Sequence, residues 1–138
     1  MEVIEMDEIV KFLSENPVQY FATVSCDTKA KVRPFMFLFE KEGKLWYGTN
    51  NQKEVYQEMQ ANPYVEICVS SPAGAWIRLN GKATFENNMA VKEACMEIPL
   101  IKQQYSDVSD PTLEVFYLDK AHAVIADMSG NPPKEYTL

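Results

Sequence analysis

The clearest pattern in the chain is AWIRLNGKATFE, residues 75–86, where apolar and polar positions alternate. Ile77, Leu79, Ala83 and Phe85 take one side, with Gly81 between them. Trp76, Arg78, Asn80, Lys82 and Thr84 take the other. A period of two with one apolar side predicts an antiparallel strand packed on a single face. Gly81 predicts a bulge or bend within it. YVEICVS repeats the pattern more briefly, with Val65, Ile67 and Val69 together.

Elsewhere the rhythm changes. MDEIVKFLSEN spaces Ile9, Val10, Phe12 and Leu13 as a helix would, and Pro17 stops it. QYFATVS reads as a strand and CDTKAK as its turn. VRPFMFLF, residues 32–39, is apolar on both faces and predicts a deeply buried strand. Pro34 marks either its start or a lapse in neighbouring pairing. EKEGK turns the chain into LWYGT as a hairpin. Gln52 to Met59 predicts a helix, with Asn51 as its cap and Glu54 three residues on, like a capping box. NNMAVKEACMEI predicts another helix, starting near Asn87 or Asn88 and interrupted at Pro99. IKQQYSDVSDP predicts a short helix and a loop. LEVFYL and AHAVIADM predict a last hairpin around Asp119-Lys120, and the tail adds one short extended piece. Strands that follow one another directly favour antiparallel pairing. The expectation is one mainly β domain over residues 1–138, a small closed or nearly closed barrel with helices inserted between hairpins.

Charge narrows the function classes. With 13 basic and 20 acidic residues, the formal charge is -7. That argues against nucleic acid, which selects a basic footprint, and against anionic membrane surfaces. No apolar run reaches the length of a membrane span. The amino terminus is acidic where a secretory signal would be basic and then apolar, so a cytoplasmic protein is expected. Cys26, Cys68 and Cys95 are too scattered for a disulfide framework or a zinc knuckle. The single histidine, His122, sits in the apolar setting KAHAVIA and reads as structural or surface. No nucleophile motif accompanies it, which argues against triad hydrolysis.

Lys53 carries the first candidate chemistry. A cation in a helix's first turn sits where free N–H groups already make the field positive. Either it is a solvated residue offset by Glu54, or the helix start is an anion site. In the second case Asn50, Asn51 and Gln52 add neutral donors to its charge. Arg33 poses a similar choice, because it opens an otherwise apolar strand. It is either a rim ion pair with an acidic neighbour or a planar fork for a phosphate.

The order R-P-x-x-F from Arg33, K-L-W-Y-x-T-x-x-x-K from Lys44, NPYVEI, and W-I-R-L-x-G-K-A from Trp76 carries a resemblance. It resembles the FMN-binding split barrels of the pyridoxamine 5′-phosphate oxidase-like family, in the small branch near nitroimidazole-resistance and general stress proteins. The resemblance implies a six-stranded antiparallel split β-barrel with two to three inserted helices. It also implies a homodimer that holds FMN in the subunit clefts. Carried over by position, Arg33 and Lys53 would hold the phosphate. Phe35 and Met36 would offer backbone polar groups to the isoalloxazine edge. Thr49 and Asn50 would line the phosphate and ribityl chain, with Gln52 close by. Trp76 would approach the cofactor across the dimer, or else pack in the barrel or dimer core.

The implied activity is an FMN-dependent oxidoreductase acting on a small molecule. The alternatives are a flavin carrier or sensor without turnover, and a haem or small-ligand barrel with His122 as axial ligand. Pyridoxamine-phosphate oxidases resemble one another in a C-terminal tryptophan segment and an Arg-x-His clamp. LEVFYLDKAHAVIADM has neither tryptophan nor arginine, which argues against that substrate.

Overall fold

The computed structural model describes residues 3–138, with side chains from Glu5 onward. A first helix, α1 (Val3–Glu15), leads into β1 (Val18–Val24) and β2 (Ala30–Met36). The short β3 (Phe39–Lys41) and β4 (Lys44–Asn50) follow, then α2 (Glu54–Ala61). Next come β5 (Tyr64–Ser70) and β6 (Trp76–Phe85), helices α3 (Met89–Cys95) and α4 (Pro99–Gln104), β7 (Leu113–Ala126) and β8 (Lys134–Thr137).

The strands form one sheet in the order β2-β1-β5-β6-β7-β4-β3, with β8 added beside β7. Every pairing is antiparallel. The sheet has eight strands where the resemblance implied six. The two extra pieces are the three-residue β3 and the four-residue β8, both too short to show a period of their own.

Turn chemistry accounts for the β3–β4 hairpin. Glu42 and Gly43 have φ of 60° and 74°, the paired positive angles that match strand twist in a two-residue turn. Asn88 caps α3, its side-chain oxygen accepting from Val91 N at 3.1 Å, while Pro99 opens α4, where a missing N–H costs nothing.

Three expectations fail, each for an identifiable reason. The doubly apolar stretch at 32–39 is not a deeply buried strand. β2 is the sheet's edge strand, and Val32 is 66% exposed. Its apolar outer side therefore faces outward, and Pro34 is tolerated because that strand pairs only with β1. The strand buried on both faces is β4, whose adjacent Leu45, Trp46 and Tyr47 are all buried.

Nor do LEVFYL and AHAVIADM form a hairpin. They are one 14-residue strand, and both halves pair with β6. Lys120 takes φ of 51°, and the register with β6 slips between Asn80 and Lys82. Asp119-Lys120 is therefore a kink where a turn was expected. It faces Gly81, where an added Cβ would lie 3.1 Å from Asp119 O.

The third concerns α2. It begins at Glu54, with Lys53 at its N-cap and no side chain capping it. Asn51 instead reaches Pro111 O with its Nδ2 at 2.8 Å.

Two cores result. The larger joins α1 and α2 to the sheet through Ile9, Leu13, Phe21, Tyr47, Met59 and Phe116. The smaller lies under α3 and α4, where Val91, Cys95, Ile101 and Tyr105 surround Trp46. Trp46 Nε1 donates to Lys41 O at 2.9 Å, so the buried indole keeps its partner.

Candidate functional site

A cleft of about 320 Å³ opens where the end of β2 faces β4 and α4. Pro34, Phe35 and Met36 form one side, and Leu38, Gly48 and Thr49 the floor. Leu100, Ile101, Gln104 and Tyr105 form the opposite wall, with Lys53 at the rim. The lining is mostly apolar and carries few polar groups, the usual make-up of a small-molecule site.

Thr49 Oγ1 is the exception in the floor. Its residue is 5% exposed, and the hydroxyl is the buried side-chain atom among the described residues without a hydrogen-bond partner. A buried hydroxyl left unpaired costs free energy unless something meets it. Beside it, Asn50 Oδ1 accepts from Gln52 N at 2.8 Å and so shapes the turn into α2. Lys53 N donates to Asn50 O at 3.1 Å, which completes that turn and places the lysine at the helix start. Tyr105 closes the wall, and burial raises its phenol's pKa, with a hydrogen bond to Asn50 acting the other way. It stands there as a neutral hydroxyl.

Arg33 is engaged elsewhere. It projects inward from β2, opposite Phe21, and does not line the cleft. Its Nη2 meets Glu58 Oε1 on α2 at 2.8 Å. Its Nη1 donates to Thr23 Oγ1 at 2.7 Å and to Phe21 O at 3.1 Å. Thr23 in turn donates to Glu58 Oε1 at 2.6 Å. Glu58 is 2% exposed and the Arg33 side chain 25%, so a buried carboxylate, its Oε1 accepting from both Arg33 and Thr23, meets a partly buried guanidinium.

The sequence profile of the pyridoxamine 5′-phosphate oxidase family matches residues 6–129. The chain belongs to that family. Among solved structures it is similar to a NimC/NimA family protein from Clostridium acetobutylicum, with 36% identity, 96% of this chain and 92% of that one covered, and a TM-score of 0.88. It shares its fold with a pyridoxamine 5′-phosphate oxidase-related, FMN-binding protein from Nostoc punctiforme, at 16% identity, 99% and 91% coverage and a TM-score of 0.74. It also shares it with a haem-binding protein from Mycobacterium smegmatis, at 18% identity, 90% and 54% coverage and a TM-score of 0.70. No match is found among curated proteins.

Of the residues that the family resemblance singled out, the cleft gathers Phe35, Met36, Thr49 and Lys53. Asn50 adjoins it through the turn and Tyr105. Gln52 is exposed, its Nε2 donating to Asn51 Oδ1 at 2.7 Å. Trp76 is half-buried at the start of β6, away from the cleft. Glu58 and the α4 wall were missed. Val55, Glu58 and Met59 are the buried residues of α2, at i, i+3 and i+4. An acid inside that apolar stripe was a readable sign of a buried cationic partner. The α4 residues carry no such sign.

No described helix is long and apolar enough to cross a membrane. Among the described residues, no group of three or more His, Cys, Asp or Glu is placed to hold a metal ion.

Proposed function

We propose that the cleft binds FMN and that the protein is an FMN-dependent oxidoreductase acting on a small molecule in the cytoplasm. The observation that carries this is the unpartnered Thr49 hydroxyl in the floor, with Lys53 beside it at the start of α2. A phosphorylated, hydroxyl-bearing chain meets both needs at once. Lys53 offers its charge and the α2 start its N–H groups to the phosphate. Thr49 Oγ1 pairs with the ribityl chain. The apolar sides, Phe35 and Met36 against Leu100 and Ile101, suit a flat ring system, whose polar edge takes the main-chain groups of Phe35 and Met36. Bound FMN supplies hydride and electron transfer, and the protein has only to hold, orient and shield it.

The haem alternative rests on likeness in fold to a haem-binding protein. In that reading His122 is the axial ligand, and it lies outside the cleft, its Nδ1 3.4 Å from Thr137 Oγ1.

The second part of the proposal is a homodimer. Val18, Tyr20, Val32 and Tyr64 are 58–66% exposed on neighbouring strands β2, β1 and β5. Large apolar side chains grouped on one face mark an association surface, and a second copy is the occupant proposed here. Trp76, at the β6 end of the same sheet, would then approach the partner's cleft.

The visible spectrum of the purified protein, followed by titration with FMN, tests the cofactor. Flavin absorbance and saturable quenching are expected, and no uptake overturns the reading. Anaerobic bleaching by a reduced nicotinamide, with turnover when an acceptor is added, separates an enzyme from a carrier.

A further inference from the structure

We infer that Glu58 is an internal counter-ion that sets how strongly this site attracts a phosphate, by cancelling the charge of Arg33. The inference rests on the flavin reading above and deepens it, since it concerns how the site tells a phosphorylated flavin from the unphosphorylated one.

Arg33 adjoins Pro34, which lines the cleft. Glu58 follows Lys53 by five residues, about 7.5 Å along a helix axis. The pair therefore lies within about a Debye length of the cleft's cationic rim, where a net charge would be felt. As the structure stands, none is offered. The guanidinium makes all of its hydrogen bonds inward, to Glu58, Thr23 and Phe21, and the carboxylate it meets is almost fully buried. Only a quarter of the Arg33 side chain is exposed. The cationic end of the cleft thus acts with the charge of Lys53, and the second cation is held in reserve by an acid on the same helix.

The consequence is a site of deliberately moderate pull on a dianion. Glu58→Gln keeps an oxygen to accept from Arg33 and Thr23 but removes the opposing charge. Arg33 then adds its own field to that of Lys53, and binding of phosphate monoesters tightens. Riboflavin, which has the same ring and ribityl chain without the phosphate, is indifferent to the change.

The test titrates the wild type and Glu58→Gln with FMN and riboflavin by fluorescence quenching, and with inorganic phosphate by its shift in melting temperature. FMN is expected to bind the variant about tenfold more tightly at low salt, and riboflavin within about twofold of wild type. Inorganic phosphate should follow FMN. Equal shifts for both flavins, or FMN binding no more tightly, overturn the inference. If neither flavin binds either protein but the phosphate response still grows in the variant, the flavin reading fails and the counter-ion role stands. If Glu58→Gln does not fold, the paired replacement Arg33→Met with Glu58→Met decides, because apolar substitutes for a buried ion pair are commonly tolerated. A preference for FMN over riboflavin within about threefold of wild type supports the counter-ion. A tenfold loss shows that Arg33 was holding the phosphate directly and overturns it.

Discussion

The phenol of Tyr47 donates to the side-chain oxygen of Gln19 at 2.7 Å, deep inside the barrel. Gln19 Nε2 passes the connection on to Leu13 O at 3.2 Å and Asn16 O at 3.1 Å, where α1 ends. One buried chain of polar groups thereby ties β4, β1 and the first helix together. Burial holds the Tyr47 pKa well above the ordinary phenol value, so the donor keeps its proton.

Tyr47→Phe removes that donor and leaves the Gln19 oxygen buried without a partner. The variant should lose about 1–3 kcal/mol of stability. Urea denaturation measures it, and a loss under about 0.5 kcal/mol would show that water replaces the phenol.

Thr49→Val separates binding from folding. The hydroxyl has no hydrogen-bond partner within the protein, so its removal should leave stability unchanged or raise it by up to about 1 kcal/mol. FMN should weaken by about 1 kcal/mol. Lys53→Ala should weaken FMN by about 1–3 kcal/mol while riboflavin hardly changes. Equal losses for the two flavins would place the phosphate away from Lys53.

A clasp between the tail and α1 should give stability a dependence on pH. Tyr136 donates to Glu8, and Lys134 Nζ lies 3.2 Å from the same carboxylate. The Tyr136 hydrogen bond lowers the Glu8 pKa from 4.5. The same bond raises Tyr136 from 10.0 to about 12. The Glu8 contribution is therefore present above pH 4.5 and fades as pH falls through its folded value. The Tyr136 contribution is full below pH 10.0 and fades as pH rises through about 12. Melting of Tyr136→Phe beside wild type should show a gap that is steady between those limits and narrows outside them. Solvent exposure of Glu8 keeps it below about 1 kcal/mol.

Tyr20→Glu tests the dimer. A charge at the centre of the exposed face on β1 should yield a monomer by light scattering where wild type is a dimer. A wild-type monomer, or a variant that still dimerises, would refute this face as the interface.

Where the chain alternates cleanly, the sequence was legible. β6 and the buried face of β5 follow from a period of two, because one side of each strand meets the core; Gly81 marked the irregularity, whose extra residue lies in β7, where Lys120 and Ala121 stand opposite it. A helix start near Asn87 or Asn88 and an interruption at Pro99 were read from backbone chemistry; the structure caps α3 with Asn88, ends it at Cys95 and opens α4 at Pro99. Residues 32–39 misled because an apolar outer face looks the same whether it is covered by this chain or left exposed. Asp119-Lys120 misled because a kink and a turn both use such residues, and only the partner strand decides between them. In the cleft, Lys53 was visible from its place at a helix start, whereas Thr49 came only with the family resemblance. The hold of Glu58 on Arg33 was not, since 25 residues separate them and only the fold brings them to 2.8 Å. Leu100, Gln104 and Tyr105 belong to an insertion whose position no local pattern reveals.

That insertion has a consequence for how the fold can be varied. Phe85 at the end of β6 and Phe116 near the start of β7 are already paired partners, so the loop carrying α3 and α4 leaves and returns at the same place on the frame. Its helices pack on Trp46 of β4 and on Leu113 and Val115 of β7. One wall of the binding chamber is thus an excursion from the frame, and exchanging its chamber-facing side chains can change which molecules enter while the strands behind it keep their register.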